Sequence, residues 1–188
     1  MVAEMAINTK LDILISQQEY DQLSELLDVF SRKPESNDYD YLFEFAGKPV
    51  PLKYLECPQF YMCDYERNMT AAELAIMHND ARALRMIIEA GVRVNTPVNI
   101  AYHTALRIAV YKACEMVREG LIDTGCINLL LKNGAEINRQ DEMGWTPLME
   151  AAREQCLPIY EYLRQHGAEQ VANNNGCTPE EMLGRSCG

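Results

Sequence analysis

Apolar residues between positions 141 and 171 recur at the spacing of two short helices. The first run comprises Leu148, Ala151 and Ala152, and its two alanines allow a neighbouring helix to approach closely. The second run follows after a short polar interval and comprises Leu157, Ile159, Tyr160 and Leu163. The pattern predicts two short amphipathic helices joined by a turn.

Small and capping residues mark the ends of both predicted helices. Gly144 supplies a tight turn ahead of them. Thr146 stands immediately before Pro147, which is the order expected of an N-cap and a first helical position. Gly167 is placed to end the second helix in a left-handed conformation. The segment is therefore predicted to be a helical hairpin. Because one hairpin cannot bury both of its apolar faces, it also predicts stacked neighbours.

This hairpin resembles the ankyrin repeat, whose period is about 33 residues and whose signature is T-P-L-H-x-A. The residues that carry the resemblance are Thr146, Pro147, Leu148, Ala151, Ala152, Gly167 and Ala168. Met149 stands where the signature has histidine. The resemblance implies an all-α solenoid of stacked helix-turn-helix repeats with short finger loops, a scaffold that hosts many binding functions.

Related patterns extend along the chain, which is predicted to be a single ankyrin-repeat domain over residues 1–188. Positions 9–30 align without a gap with positions 70–91, and their polar residues suit the outer face of a terminal repeat. The predicted units are an N-terminal capping repeat at 9–30, repeats at 69–95, 104–138 and 141–171, and a C-terminal cap at 173–188.

The repeat at 104–138 has a longer apolar stripe than the others. The stripe runs from Ala105 to Val117, and Gly120 then breaks it. We therefore predict a first helix extended by about two turns, followed by a helix that Asp123 or Thr124 caps. The extension either packs against the rest of the chain or contacts a partner, and both alternatives stay open.

An insertion without repeat character is predicted at residues 31–68. Its aromatic residues are Tyr39, Tyr41, Phe43, Phe45, Tyr54, Phe60, Tyr61 and Tyr65. Pro49, Pro51 and Pro58 exclude a long helix, and the alternating aromatics near position 43 favour an extended piece. Two interpretations stay open: a flap that covers one edge of the stack, or an aromatic recognition surface.

The net charge of the chain indicates which partners it can attract, and its cysteines indicate its cellular compartment. The formal net charge of -11 disfavours nucleic acid and anionic membranes, so a partner that charge attracts is basic; alternatively, acidity only maintains solubility. Neither a basic start before an apolar run nor a membrane-spanning stretch is present in the sequence. The chain is therefore predicted to be cytoplasmic, with its seven cysteines reduced.

No motif for catalysis, a cofactor or a metal stands out in the sequence. The three histidines are scattered, and neither a phosphate-binding loop nor a dinucleotide fingerprint is present. The cysteine spacing does not match a zinc site. We predict a non-enzyme without cofactor or metal. A thiol-based redox or metal protein is the alternative of another class.

The resemblance implies that a partner protein binds on the concave side of the stack, which finger loops and first helices form. Carried onto this chain, the predicted partner-binding residues are Glu142, Met143, Trp145, Arg153, Glu154, Ile100, His103, Tyr111 and Lys112. Trp145 is either an exposed hot spot or packed against the adjacent finger. The predicted function is non-catalytic protein binding by a monomer. The alternative is a bacterial or viral effector that engages a host protein in the host cytosol.

Overall fold

Nine helices and one pair of short strands make up the described part of the chain. The computed structural model describes residues 12–31, 43–45, 48–50, 71–92, 94–95 and 104–184. The helices are α1 (12–16), α2 (Tyr20–Ser31), α3 (Ala71–Met77), α4 (Ala81–Glu89), α5 (Ala105–Arg118), α6 (Gly125–Lys132), α7 (Pro147–Arg153), α8 (Leu157–Gln165) and α9 (Pro179–Leu183). Among these residues no helix combines the length and apolar character needed to cross a membrane.

The helices form successive hairpins that stack side by side, as an all-α solenoid requires. The pairs α3–α4, α5–α6 and α7–α8 each pack as a hairpin. The first helices pack in the order α3, α5, α7 and α9, and α2, α4 and α6 make a second row. The predicted fold class is therefore confirmed.

The strands β1 (Phe43–Phe45) and β2 (Lys48–Val50) are an addition to the helical stack. They pair antiparallel, with Phe43 opposite Val50 and Phe45 opposite Lys48. The extended piece predicted near position 43 is thus confirmed. The rest of the predicted insertion lies outside the described residues, so its roles as flap or recognition surface stay predictions.

The core lies between the two rows of helices and uses residues of different size on each side. The first helices contribute small buried residues such as Ala75, Ala109 and Ala151, which let neighbouring first helices approach closely. The second helices contribute larger side chains such as Leu84 and Ile127, which are also fully buried. This division explains why the alanine pattern of the sequence marks the first helices.

The same turn joins the two helices at three places in the chain. Gln18, Asn79 and Gln155 each have a positive φ between 52° and 57°. The residue after each turn donates its backbone N–H to a carbonyl five residues earlier, as Asp80 does to Ala75 at 2.8 Å. The gap-free alignment of positions 9–30 with 70–91 places Gln18 on Asn79. The turn geometry therefore agrees with that alignment, while the unit boundaries stay predictions.

Helix α5 has 14 residues, whereas α3 and α7 have seven each, so the predicted extension of about two turns is confirmed. Gly120 ends it with a φ of +85°. Thr124 is the N-cap residue of α6 but makes no side-chain cap; instead Asp123, one residue earlier, accepts the backbone N–H of Gly125 with its Oδ1 at 2.8 Å. The loop leaves Leu121 and Ile122 exposed.

Replacing Thr146 by valine is expected to destabilise the protein by about 1 kcal/mol, because the buried hydroxyl accepts the backbone N–H of Met149 at 3.3 Å. The matched control is Thr124→Val, at an N-cap whose hydroxyl accepts no backbone N–H. Urea unfolding monitored by circular dichroism measures both. A loss for Thr124→Val as large as that for Thr146→Val would contradict the assigned role of the cap.

Candidate functional site

Two finger loops with the same hydrogen-bond pattern precede α7 and α9. In the first finger (141–145), Asp141 Oδ1 accepts the backbone N–H groups of Met143 at 2.9 Å and Trp145 at 2.8 Å. In the second finger (173–177), Asn173 Oδ1 accepts the corresponding N–H groups of Asn175 and Cys177, both at 3.0 Å. One short polar side chain thus closes each finger, the local pattern that Asp and Asn favour.

The two fingers are also bonded to each other. Asn174 donates its backbone N–H to the carbonyl of Met143 at 3.2 Å and its side-chain amide to the carbonyl of Glu142 at 2.7 Å. Gln140 donates to the carbonyls of Gly144 at 2.8 Å and Ala172 at 2.9 Å. The bonds from Asn174 and the bond from Gln140 to Ala172 join the two finger regions and hold the fingers in a fixed relation.

A buried arginine connects α5 to the first finger and to α7. Arg107 Nε donates to Glu150 Oε2 at 2.8 Å, and its Nη1 donates to the carboxylate of Asp141. The side chains of Asp141 and Glu150 are each only 3% exposed. Asp141 therefore closes the finger with one oxygen and anchors it to the neighbouring hairpin with the other.

Further ion pairs extend this contact into a network. Arg153 bonds to Glu150 and, at 2.9 Å, to Glu154, which in turn accepts from Arg118. We call Arg107, Arg118, Arg153, Asp141, Glu150 and Glu154 the arginine–carboxylate network. Its three cations match its three carboxylates, so it carries no net charge. No buried side-chain N or O atom within the described ranges lacks a hydrogen-bond partner.

The indole of Trp145 lies against this network. The guanidinium carbon of Arg107 is 5.2 Å from the ring centroid, and that of Arg153 is 5.8 Å from it. Both distances are within the range of cation–π attraction. Trp145 is half-buried. Its ring is therefore held by two arginines that carboxylates fix in turn.

The predicted site residues differ in their exposure. Glu142 and Arg153 are exposed, and Met143 is 65% exposed at the end of the first finger. Glu154, Tyr111 and Lys112 are half-buried. The ammonium of Lys112 bonds to Glu115 at 2.8 Å. Ile100 and His103 lie outside the described residues. Among the other predicted residues, the structure brings together Trp145, Arg153 and Glu154.

Sequence patterns alone did not mark the residues that support the first finger. Arg107, Asp141 and Glu150 were not among the predicted site residues, although one signal was available. Arg107 stands three residues after the cap Thr104, where the repeat signature has histidine and where Met149 stands in the next hairpin. A charged residue at that buried position requires an opposite charge nearby.

The prediction that all cysteines are reduced holds for only some of the described cysteines. Cys114, Cys126 and Cys156 are free and buried, but Cys177 is disulfide-bonded, so the prediction that all thiols are reduced is wrong for that residue. Spacing along the chain does not reveal which sulfur atoms meet in space. Burial raises the pKa of the Cys126 thiol to about 12. Within the described residues, no group of three or more potential ligands forms a metal site.

Comparison with known proteins agrees with the helical stack. A family model for ankyrin repeats in three copies matches residues 120–183. Protein phosphatase 1 regulatory subunit 27 of Mus musculus is 41% identical over 59 residues, and the human protein has the same identity over the same length. This match covers 31% of the chain and 38% of the length of either relative. Human 2-5A-dependent ribonuclease is 42% identical over 59 residues, which is 8% of its length.

These findings define a stack of helical hairpins of the class that binds other proteins. Residues 120–183 of this chain are ankyrin repeats.

Proposed function

We propose that this chain is a non-catalytic binding module whose partner protein docks on the concave side, against the two fingers and α7. The observation that carries the proposal is the first finger, which presents Met143 with 65% of its surface exposed on a backbone fixed by Asp141 and Asn174. Large apolar side chains that are exposed on a rigid support are typical of interfaces.

Rigidity of the fingers supports this proposal energetically. A loop that must be ordered on binding lowers affinity, whereas a loop already fixed does not. The first finger is held internally by Asp141, laterally by Asn174, and from α5 by Arg107. A partner would therefore meet a preformed surface.

The charges of the site favour a basic partner. The arginine–carboxylate network is neutral, so its arginines are already matched. Glu142 is exposed and has no ion pair among the described residues. Together with the net charge of -11, this favours a partner segment that carries an aliphatic side chain for Met143 and a Lys or Arg for Glu142.

The position of Trp145 gives it a supporting role in the proposed site. Its half-buried ring lies against Arg107 and Arg153, so its removal would loosen the base of the first finger. A Trp145 variant therefore reports both on contact and on finger geometry, and Met143 is the cleaner probe of contact.

The test is selection from a displayed peptide library on wild-type protein, followed by affinity measurement with the selected peptides. Selected peptides are expected to combine basic and aliphatic residues. Met143→Ala is expected to weaken their binding about tenfold, as for a moderate interface residue. Leu157→Ala is the matched control, because Leu157 is 52% exposed but lies after the turn at the other end of α7.

Unchanged affinity for Met143→Ala, or equal losses for both variants, would contradict the proposed surface. Circular dichroism of both variants shows whether each is folded. The relatives named as regulatory subunits of protein phosphatase 1 make that phosphatase one reasonable protein to test directly. A bacterial or viral effector that engages a host protein stays the alternative.

A further inference from the structure

The second finger contains three consecutive asparagines, and the first two have structural roles. The side chain of Asn173 accepts the two N–H groups that close the finger, and this residue is 9% exposed. Asn174 donates its side-chain amide to the carbonyl of Glu142 in the first finger at 2.7 Å. Asn175 is exposed, and its side chain makes no hydrogen bond to another described residue. Among these three asparagines, the side chain of Asn175 is therefore the least restrained.

Asn175 also precedes a glycine, which makes its side-chain amide chemically labile. Asparagine is thermolabile, because the backbone nitrogen of the next residue can attack its side-chain carbonyl carbon and release ammonia. A side chain on the next residue hinders this attack, and glycine has none. The sequence has two such Asn-Gly pairs, at 133–134 and at 175–176. The pair at 133–134 therefore provides a comparison within the same chain.

The fold holds the pair at 133–134 by a helix end and by a side-chain bond. Asn133 is the C-cap residue of α6, and its side-chain amide donates to the carbonyl of Leu129 at 2.8 Å. The backbone N–H of Gly134 donates to the carbonyl of Leu131 at 3.1 Å. Reaction at Asn133 therefore requires the last turn of the helix to open and the side-chain bond to break.

The pair at 175–176 needs a smaller rearrangement. The backbone N–H of Gly176 donates to the carbonyl of Asn173 at 2.9 Å, and this bond must open before the nitrogen can attack. The side chain of Asn175, by contrast, has no described hydrogen bond to lose. Bonds at an exposed loop open locally at a lower free energy than bonds within a packed element. The fold therefore favours reaction at 175–176 over reaction at 133–134.

We propose that Asn175 is a site of spontaneous deamidation, for which water is the reactant. The nitrogen of Gly176 gives its proton to solvent and bonds to Cγ of Asn175. The bond from Cγ to Nδ2 then breaks, and ammonia leaves with a proton from solvent, so that a cyclic succinimide remains. Water attacks one of its two carbonyl carbons and breaks that carbon's bond to the Gly176 nitrogen. The product is aspartate or isoaspartate; one water enters, one ammonia leaves, and nothing is oxidised or reduced.

Either product changes the second finger. Both add one negative charge to a loop that is bonded to the first finger. Isoaspartate also inserts one carbon into the backbone between positions 175 and 176. The bonds that Asn173 accepts from Asn175 and Cys177 span this point, so they cannot both keep their present geometry. An effect on partner binding rests on the proposed function, whereas the reaction itself does not.

The test incubates native protein at neutral pH in water labelled with heavy oxygen, which marks only residues that react during the incubation. Samples are then reduced, alkylated, digested with trypsin in ordinary water and mapped by tandem mass spectrometry. Cleavage after Lys or Arg places Asn175 in peptide 165–185 and Asn133 in peptide 133–139. Within the first peptide, we expect the label at Asn175 and not at Asn173 or Asn174. The rate at Asn175 is expected to exceed that at Asn133 about two- to tenfold, the factor for breaking one additional hydrogen bond.

Incubation in denaturant is the matched control for the fold, because both pairs then lose their hydrogen bonds and their rates should converge. Asn175→Gln is the control for the residue. Its longer side chain disfavours the cyclic intermediate, so the label at position 175 should be lost while Asn133 reacts as before.

Three results would overturn the proposal. The first is native protein in which Asn175 stays unlabelled or reacts no faster than Asn133. The second is a label at Asn173 or Asn174 ahead of Asn175. The third is a ratio of the two rates that denaturant leaves unchanged, since the fold would then have no part in the selection. No partner enters the experiment, so its outcome is independent of the proposed function.

Discussion

Replacing Arg107 by methionine is expected to lower the free energy of unfolding by about 3–5 kcal/mol, the range for removing one partner of a buried ion pair. Methionine keeps much of the side-chain volume but leaves the carboxylates of Asp141 and Glu150 without this cation, and each is only 3% exposed. Glu150 keeps Arg153, whereas Asp141 keeps only the two N–H groups of the first finger. Urea unfolding with linear extrapolation measures the loss.

Arg139→Met is the control for this change. Arg139 pairs with Glu136 at 3.4 Å, and their side chains are 33% and 62% exposed. An exposed pair of this kind contributes at most about 1 kcal/mol. Similar losses for Arg107→Met and Arg139→Met would contradict a stabilising role for the buried ion pairs of Arg107.

Replacing Gly144 by alanine is expected to cost about 2–5 kcal/mol, from two additive causes. The residue has a φ of +79°, which costs an L-residue with a side chain about 1–2 kcal/mol. An added Cβ would also lie 2.7 Å from the backbone nitrogen of Asn174 and 3.0 Å from Cα of Asn173. Because these atoms belong to the second finger, the steric clash is removed only if the two fingers separate. This separation is expected to add about 1–3 kcal/mol to the loss of stability.

Gly176→Ala separates the two causes, since Gly176 has the corresponding place in the second finger. Its φ is +82°, but an added Cβ would meet nothing within 4 Å. Only the backbone cost of about 1–2 kcal/mol is therefore expected. Thermal and urea unfolding of both variants give the difference. Equal losses would mean that the contact between the fingers is loose enough to absorb a methyl group.

Features that depend on neighbouring residues could be predicted from the sequence. Thr146 caps α7 and Gly167 has a φ of +95°, as their places beside the apolar runs indicate. The length of α5 followed from the stripe between Ala105 and Val117. Such features are encoded within a few turns of chain, where spacing and geometry are directly related.

Features that depend on distant residues could not be predicted in the same way. Arg107 bonds to Asp141 and Glu150, which are 34 and 43 positions away, and periodicity does not pair individual charges across repeats. The disulfide at Cys177 has the same origin, since only the folded chain decides which sulfur atoms meet. The exposed residues Glu142 and Met143 were predicted from the resemblance. Their supporting network required the structure.

The unequal length of α5 has a consequence for how the chain assembles. In an array of identical hairpins, one unit can pair with the wrong neighbour at little cost, and misassembly is a characteristic failure of repeat proteins. Here α5 has twice as many residues as α7, and its last turn places Arg118 against Glu154. A shift by one hairpin would separate that pair and leave the long helix beside a partner of the wrong length. The irregular length of α5 therefore favours one order of the hairpins in the stack, because the long helix fits only one neighbouring hairpin.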